Sequence, residues 1–253
     1  MSTRIPHDYH PAADLLRNRV ILVTGAGDGI GRAAALSFAA HGATVILLGK
    51  TIAKLEAVYD EIETAGGPQA AIYPLKLGGA TMEDYDTLRE TIEREFGRLD
   101  GVLLNAGILG QRKSILDSSV SDWNDVLNVN LTANFMLTKA LLPLLLKSDD
   151  ASIVFTSSGV GRKGRAFWGA YAVSKFGIEG LSQVLADELD TTSNIRVNCI
   201  NPGATNTAMR RVAYPAESPS LNPLPEQIMP VYLFLLGPDS KGITGESFDA
   251  QRK

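Results

Sequence analysis

Apolar residues in this chain fall into short unbroken runs, separated by longer stretches in which they recur every three or four positions. The runs cover residues 20–23, 44–48, 70–75, 101–105, 152–156 and 195–200. Runs of this length, bounded by glycine and polar residues, predict buried strands. The stretches at 30–40, 52–64, 82–96, 120–145 and 168–189 predict helices; in the second, Leu55, Val58 and Ile62 lie at helical spacing. Pro143 is expected to interrupt the fourth, because proline removes a backbone donor and crowds the preceding turn. Near-continuous apolar strands alternating with helices predict a parallel sheet covered on both faces. That is a doubly wound α/β fold.

The rhythm breaks at residues 208–225, where Pro215, Pro219, Pro223 and Pro225 exclude regular helix or strand. A long irregular segment in a compact domain predicts a functional loop, here a substrate lid over about 204–226. No other segment reads as a linker. The expectation is a single domain across 1–253 with a short N-terminal extension at 1–18.

Composition narrows the classes. The chain has 253 residues, 45% hydrophobic and 21% charged, with a net charge of −4. These are globular values, and the charge gives no reason to expect a nucleic-acid partner. Residues 1–16 contain no apolar core of a signal peptide, and the longest apolar stretch, 140–146, is too short to span a bilayer. A lone cysteine, Cys199, excludes an internal disulfide framework and suits a reducing compartment. The sequence thus predicts a cytoplasmic protein with no membrane partner.

The candidate chemistry begins at Thr24-Gly-Ala-Gly-Asp-Gly-Ile-Gly31, between the first strand and the first helix. Gly25, Gly29 and Gly31 permit positive φ and close backbone approach. The helix N-terminus offers free N–H groups to a pyrophosphate. In this context the motif predicts a dinucleotide site in a Rossmann fold. The second strand ends at Lys50, where an acid would hold the ribose hydroxyl of NAD and a base would suit the phosphate of NADP. Lys50 therefore favours NADP(H), with NAD(H) as the alternative. Asp28, inside the loop, is expected to repel a nearby phosphate.

Tyr171 and Lys175 stand four residues apart and thus on one helical face. That spacing also describes an ordinary surface pair. A phenol titrates near 10, and a lysine one turn away is expected to lower that value toward the range useful in acid–base work. Ser158 lies thirteen residues before the tyrosine, with Ser157 beside it.

In this order the motifs resemble the short-chain dehydrogenase/reductase family over nearly the whole chain. Asn105-Ala106-Gly107 resembles the family's Asn-Ala-Gly turn, and Asn130 its helix asparagine. Ser158, Tyr171 and Lys175 match the rest of its catalytic tetrad. Asn201-Pro202-Gly203, with Thr205 and Thr207, resembles the segment that contacts the nicotinamide. Within the family, residues 141–148, 154–158 and 247–251 resemble the YciK-type bacterial oxidoreductases.

The resemblance implies carbonyl/alcohol interconversion by hydride transfer, with Tyr171 as general acid/base. Lys175 would tune the tyrosine and hold the ribose, and Ser158 would bind the substrate oxygen. Asn130 would position a water. It also implies cofactor contacts from Gly25, Asp28, Gly29, Ile30, Gly31, Lys50, Leu77, Asn105, Ala106, Gly107, Tyr171, Lys175, Pro202, Gly203, Thr205 and Thr207, and no metal. Lys76 stands where many members carry an adenine-contacting aspartate, leaving the Leu77 backbone for that contact. A homodimer or homotetramer through the helices at 120–145 and 168–189 is expected.

Two other readings stay open: a dinucleotide-binding sensor or scaffold without catalysis, and a 3-oxoacyl-carrier-protein reductase. The basic cluster Arg162, Lys163 and Arg165 is the only support for the latter. Phe167 and Trp168 would either wall the pocket or pack in the core or at an interface.

Overall fold

In the computed structural model, which describes residues 9–251, seven strands form one parallel sheet. They are β1 (Val20–Thr24), β2 (Thr44–Gly49), β3 (Ala71–Pro74), β4 (Gly101–Leu104), β5 (Ser152–Thr156), β6 (Arg196–Asn201) and β7 (Ser247–Asp249). Their order in the sheet is β3-β2-β1-β4-β5-β6-β7, and every neighbouring pair is parallel. The chain winds outward from β1 in one direction and from β4 in the other. A crevice therefore opens beyond the ends of β1 and β4, the place where such folds bind ligands.

The helices are α1 (Gly29–Ala40), α2 (Ile52–Thr64), α3 (Met82–Phe96), α4 (Val120–Leu127), α5 (Ala133–Leu145), α6 (Gly169–Leu189), α7 (Ala208–Ala213) and α8 (Met229–Leu236). Side chains alternate across the sheet, as the pleat requires. Ile21 and Val23 enter a core with α1, α2 and α8, while Val20 and Leu22 enter a second core with α3, α5 and α6. The doubly wound expectation is met. No helix among the described residues is long and apolar enough to cross a membrane.

Two expectations need correction, and two elements had carried none. Pro143 does not interrupt its helix, since α5 runs through it to Leu145. It lies in the last turn, and buried Leu141, Leu144 and Leu145 hold that turn against the core. The interruption instead is a single wide π-turn at Asn128–Thr132, between α4 and α5. Residues 208–213 form a helix although they open the proline-rich segment, because the prolines begin only at Pro215. Finally, α8 and β7 had no periodic signal: seven of the eight α8 residues are buried, and β7 is three residues long. Residues 1–8 of the expected extension lie outside the described residues. Tyr9 packs edge-on against Phe234 with ring centres 5.2 Å apart.

The edge of the sheet where strands begin carries an ion lattice. Arg19 pairs with Asp150 at 3.0 Å, and Arg196 pairs with the other Asp150 oxygen at 3.1 Å. Asp100 accepts from the Val20 amide at 2.8 Å, from Arg98 at 3.0 Å and from Ser148 at 2.6 Å. Burial pushes the Asp150 carboxyl up, but Arg196 and Arg19 outweigh it and hold the group below the usual carboxylate range.

Candidate active site

The glycine loop makes a cradle that side chains would fill. Gly25 has φ +67°, and a Cβ there would lie 3.2 Å from the Ala106 Cα. A Cβ on Gly31 would lie 2.2 Å from the Gly25 carbonyl oxygen. Thr24 ties this loop to the next one: its Oγ1 accepts from the amides of Asn105 and Ala106, both at 2.9 Å. Asp28 caps α1, accepting from the Gly29 amide at 2.7 Å, and its other oxygen pairs with Lys54. The Lys54 hydrogen bond, chiefly, holds its carboxyl below the usual range. The repulsion expected of Asp28 is thus countered by a lysine that the sequence argument did not include.

Two cavities meet at Gly25, Ala106 and Gly107. One, of about 270 Å³, is lined by Asp28, Gly29, Ile30, Asn105, Thr156, Ser157, Tyr171, Lys175, Pro202, Thr207, Ala208 and Met209. The other, of about 370 Å³, is lined by Leu48, Gly49, Lys50, Lys76, Leu77, Asp125 and Val129, among others. Together they form a cleft across the crevice, with the lysines at one end and Tyr171 at the other. Gly31 packs beneath the loop rather than in the wall. Gly203 (φ +73°) and buried Thr205 shape the loop after β6, where Gln251 bonds the carbonyls of Pro202 and Ala204 at 2.9 and 2.8 Å.

At the Tyr171 end, the phenol is hydrogen-bonded to Ser158. Ser157 is buried, and its hydroxyl finds no partner among the described residues. Lys175 lies one turn below the tyrosine, donating to the Thr156 carbonyl at 2.7 Å, with its Nζ 5.6 Å from the tyrosine ring centre. Asn130 sits fully buried in the π-turn. It accepts from the Ile108 amide at 2.8 Å and donates to the Ile108 carbonyl at 2.9 Å and to Ser174 at 3.1 Å. It therefore pins the loop that continues from Asn105-Ala106-Gly107. Such turns are concentrated at functional sites. The four tetrad candidates come from the loop after β5, from α6 and from the π-turn to one end of the cleft, where Tyr171 and Lys175 line the cavity.

The family model for short chain dehydrogenases matches residues 19–218. The chain belongs to the short-chain dehydrogenase/reductase family. Its likeness to the Escherichia coli oxidoreductase YciK is 54% identity over 243 residues, 96% of each chain. A short-chain dehydrogenase structure from Pseudomonas syringae is 58% identical, with a TM-score of 0.95, over 96% of this chain and 99% of that one. Another, from Escherichia coli CFT073 and complexed with NADPH, is 55% identical, with a TM-score of 0.93, over 96% and 100%. This short-chain dehydrogenase/reductase is an oxidoreductase, as the cleft and its motifs lead one to expect.

Its ionisation pattern departs from the sequence argument in one respect. Burial pushes the Tyr171 phenol up to about 12, against a partial lowering by Ser158. Lys175 does not offset this, because its ammonium is turned to the Thr156 carbonyl. Tyr171 is therefore protonated at neutral pH and poised to donate. Burial also pulls Lys175 down to about 8, opposed by Cys199 and Glu179.

This oxidoreductase should therefore show a lysine-dependent rise of stability with pH. Between pH 8 and 10.5 the unfolded chain holds a proton on this lysine that the folded chain has lost, so stability increases across that window. Below pH 8 the burial cost is present in full, on the order of 3 kcal/mol. Denaturant melts at pH 7 and pH 9.5 should show Lys175→Met stabilised relative to the parent at pH 7, with the gap narrowing at pH 9.5. A gap independent of pH would refute the assignment.

The aromatic pair divides. Trp168 is buried against Tyr171 and Tyr214, with ring centres at 5.6 and 6.0 Å, while Phe167 is exposed at φ +68°. The sequence argument did not include Thr156, Ala208 or Met209 in the wall. Ala208 and Met209 stood only inside the expected lid at 204–226, and Thr156 and Thr24 only inside runs singled out for other reasons.

Proposed function

We propose that this oxidoreductase interconverts a small carbonyl compound and its alcohol using NADP(H), with Tyr171 as the proton donor and acceptor. The observation that carries this reading is the placement of the Tyr171 phenol, beside Ser158 and Lys175, at one end of a cleft that starts in a glycine cradle. The cradle fits a dinucleotide: glycine backbone at Gly25 and Gly31 leaves room only because no Cβ intrudes, and the α1 N-terminus faces the space. When bound, NADP(H) supplies or accepts the hydride.

The chain's own residues do the rest. Gly25, Asp28, Gly29 and Ile30 hold the pyrophosphate side, with Asn105, Ala106 and Gly107 opposite. Leu77 borders the adenine side, and Pro202, Gly203, Thr205 and Thr207 form the nicotinamide side. Ser158 hydrogen-bonds the substrate oxygen and stabilises the charge that develops there. Tyr171 gives that oxygen its proton in reduction and takes it back in oxidation. Lys175 holds the ribose side, and Asn130 fixes the loop at Ile108 and the water path behind it. The segment 204–226 covers the substrate side, since Thr207, Ala208 and Met209 already line the cavity.

Lys50 and Lys76 favour NADP(H) over NAD(H). Both line the far cavity, and Lys50 is exposed at the end of β2. A charge-assisted contact to a phosphate is worth roughly 1.5–3 kcal/mol. Lys50→Asp should therefore reduce the NADPH-over-NADH affinity ratio about tenfold or more in fluorescence titrations. An unchanged ratio would overturn the assignment of Lys50.

A homo-oligomer is the assembly we favour. Phe135 on α5, Leu146 just after it, and Val173, Phe176 and Val184 on α6 are exposed apolar side chains along the two long helices. Light scattering should return a dimer or tetramer, and a monomer would overturn this. The buried thiol of Cys199, which burial pushes up to about 12, suits the reducing cytoplasm. Recovery from an oxidising compartment on fractionation would contradict that placement.

A further inference from the structure

Arg162, Lys163 and Arg165 read as one basic cluster in the sequence, but the fold divides them. Arg162 turns inward and is consumed by Glu179 at 3.2 Å and Asp249 at 2.9 Å. Arg165 turns the other way and donates to the Tyr214 hydroxyl at 2.8 Å. Arg112, from the loop after β4, joins it. Its guanidinium carbon lies 4.7 Å from the Trp168 ring centre and 5.0 Å from that of Tyr214, and it donates to the Ala213 carbonyl. Arg210 also stacks on Tyr214, at 3.8 Å, but Glu217 meets its charge through two bonds of 2.6 and 2.7 Å. Three guanidinium groups thus surround one tyrosine, with one carboxylate among them.

Surface arginines are ordinarily solvated and mean little. These two differ in how and where they are held. Stacking on aromatic faces and single bonds to neutral oxygens fix a guanidinium while leaving most of its donors and all of its charge available. Neither Arg112 nor Arg165 is paired with a carboxylate among the described residues. The loops that carry them, together with α7, leave the ends of β4, β5 and β6, the edge that also presents Tyr171. Tyr171, Trp168, Ala213 and Tyr214 pack in one apolar cluster, and the Trp168 indole touches both Arg112 and the Tyr171 ring. The Trp168 Nε1–H is itself buried with no acceptor among the described residues.

We propose that Arg112 and Arg165 form an anion subsite for the substrate: the carbonyl or alcohol carbon served by Tyr171 lies a few bonds from a carboxylate or phosphate, which the arginine forks bind. This rests on the function proposed above and names its substrate class, a short oxo acid and its hydroxy acid or their phosphate counterparts. It also disfavours an acyl-carrier substrate. The long arm that joins an acyl group to a carrier would place the carrier's charges well outside Trp168.

The test uses the full chain with NADPH. Kinetics are compared for acetoacetate and 4-oxopentanoate against their methyl esters, and for dihydroxyacetone phosphate against dihydroxyacetone. The enzyme–NADP complex is titrated separately with glutarate and with inorganic phosphate, following tryptophan fluorescence. The anionic member of at least one pair should be preferred by about tenfold or more in kcat/KM, as expected for a charge-assisted contact. Arg112→Gln and Arg165→Gln should each erase most of that preference through KM, leave the neutral partner within about threefold, and weaken binding of the matching anion. Arg112→Lys should restore part of it.

Equal use of charged and neutral partners, or variants that lower both alike, would overturn the subsite. Because Arg112 also braces Ala213, Arg165→Gln serves as the check against a folding defect. Arginine-dependent binding of glutarate or phosphate without turnover of any carbonyl would retain the subsite and reject the proposed function. No anion binding, together with turnover of neutral ketones, would do the reverse.

Discussion

Tyr171→Phe should lower kcat about a thousandfold, while NADPH affinity stays within a factor of about two. General acid–base groups contribute roughly 10²–10⁴-fold. Here the phenol is the one hydroxyl that is at once protonated at neutral pH, bonded to Ser158 and open to the cavity above Lys175. The substitution removes a single oxygen. The ring keeps its place 5.6 Å from Trp168, and the glycine cradle is untouched. Loss of rate with retained cofactor binding therefore isolates proton transfer from folding. Stopped-flow reduction of a competent carbonyl at saturating NADPH is the measurement. A variant within about tenfold of the parent would remove Tyr171 from the proton-donor role and reopen the sensor reading, in which the tetrad residues serve only to bind.

Gly31→Ala should have the second large effect, on binding and stability together. The added carbon would lie 2.2 Å from the Gly25 carbonyl oxygen, 2.7 Å from its carbonyl carbon and 2.8 Å from the Asn105 side-chain nitrogen. Two of these are backbone atoms with no rotamer to escape into. Either α1 shifts away from the loop or the loop flattens, and both movements spoil the anion cradle. Overpacking of this kind costs about 1–3 kcal/mol or more, which in a domain of this size lowers the melting temperature by roughly 2–4 °C per kcal/mol. NADPH affinity should fall at least about tenfold, because α1 loses its alignment with the pyrophosphate side. Gly164→Ala is the matched control, since its added carbon would meet nothing within 4 Å. A Gly31→Ala protein that melts and binds like the control would show that the loop is looser than its geometry implies.

Six of the seven strands and five helical segments were legible because each of those strands is a clean apolar run and each flanking helix keeps its stripe. The π-turn was not, since Asn128-Val129-Asn130-Leu131-Thr132 has ordinary helical residues. Only the three-dimensional demand of the Ile108 backbone widens it. Nor was α8, whose uniform hydrophobicity erases any period. At the site, motif order exposed the residues that local spacing controls: the glycines, the Asn-Ala-Gly turn and the tyrosine–lysine pair. What it missed depends on contacts between distant segments. Lys54 answers Asp28 from α2, and Arg112 meets Trp168 and Tyr214 from loops about fifty and a hundred residues away. The pKa argument failed for the same reason. Spacing gives the distance from Lys175 to Tyr171 along a helix, but not that the ammonium turns to the Thr156 carbonyl or that burial dominates both groups.

The ion lattice of Arg19, Asp100, Asp150 and Arg196 closes the edge where the strands begin, whereas every loop that meets the cleft leaves from the other edge. An all-parallel sheet thereby separates what holds the fold from what chooses the substrate. Within those loops the mostly exposed stretches 111–119 and 215–224 are consequently places to rebuild specificity by exchange or insertion, provided Ile108, Gly161, Arg162, Trp168 and Thr205 keep their packing and bonds. The same liberty taken at residues 98–100 or 148–150 would strand a buried charge and cost the protein its sheet.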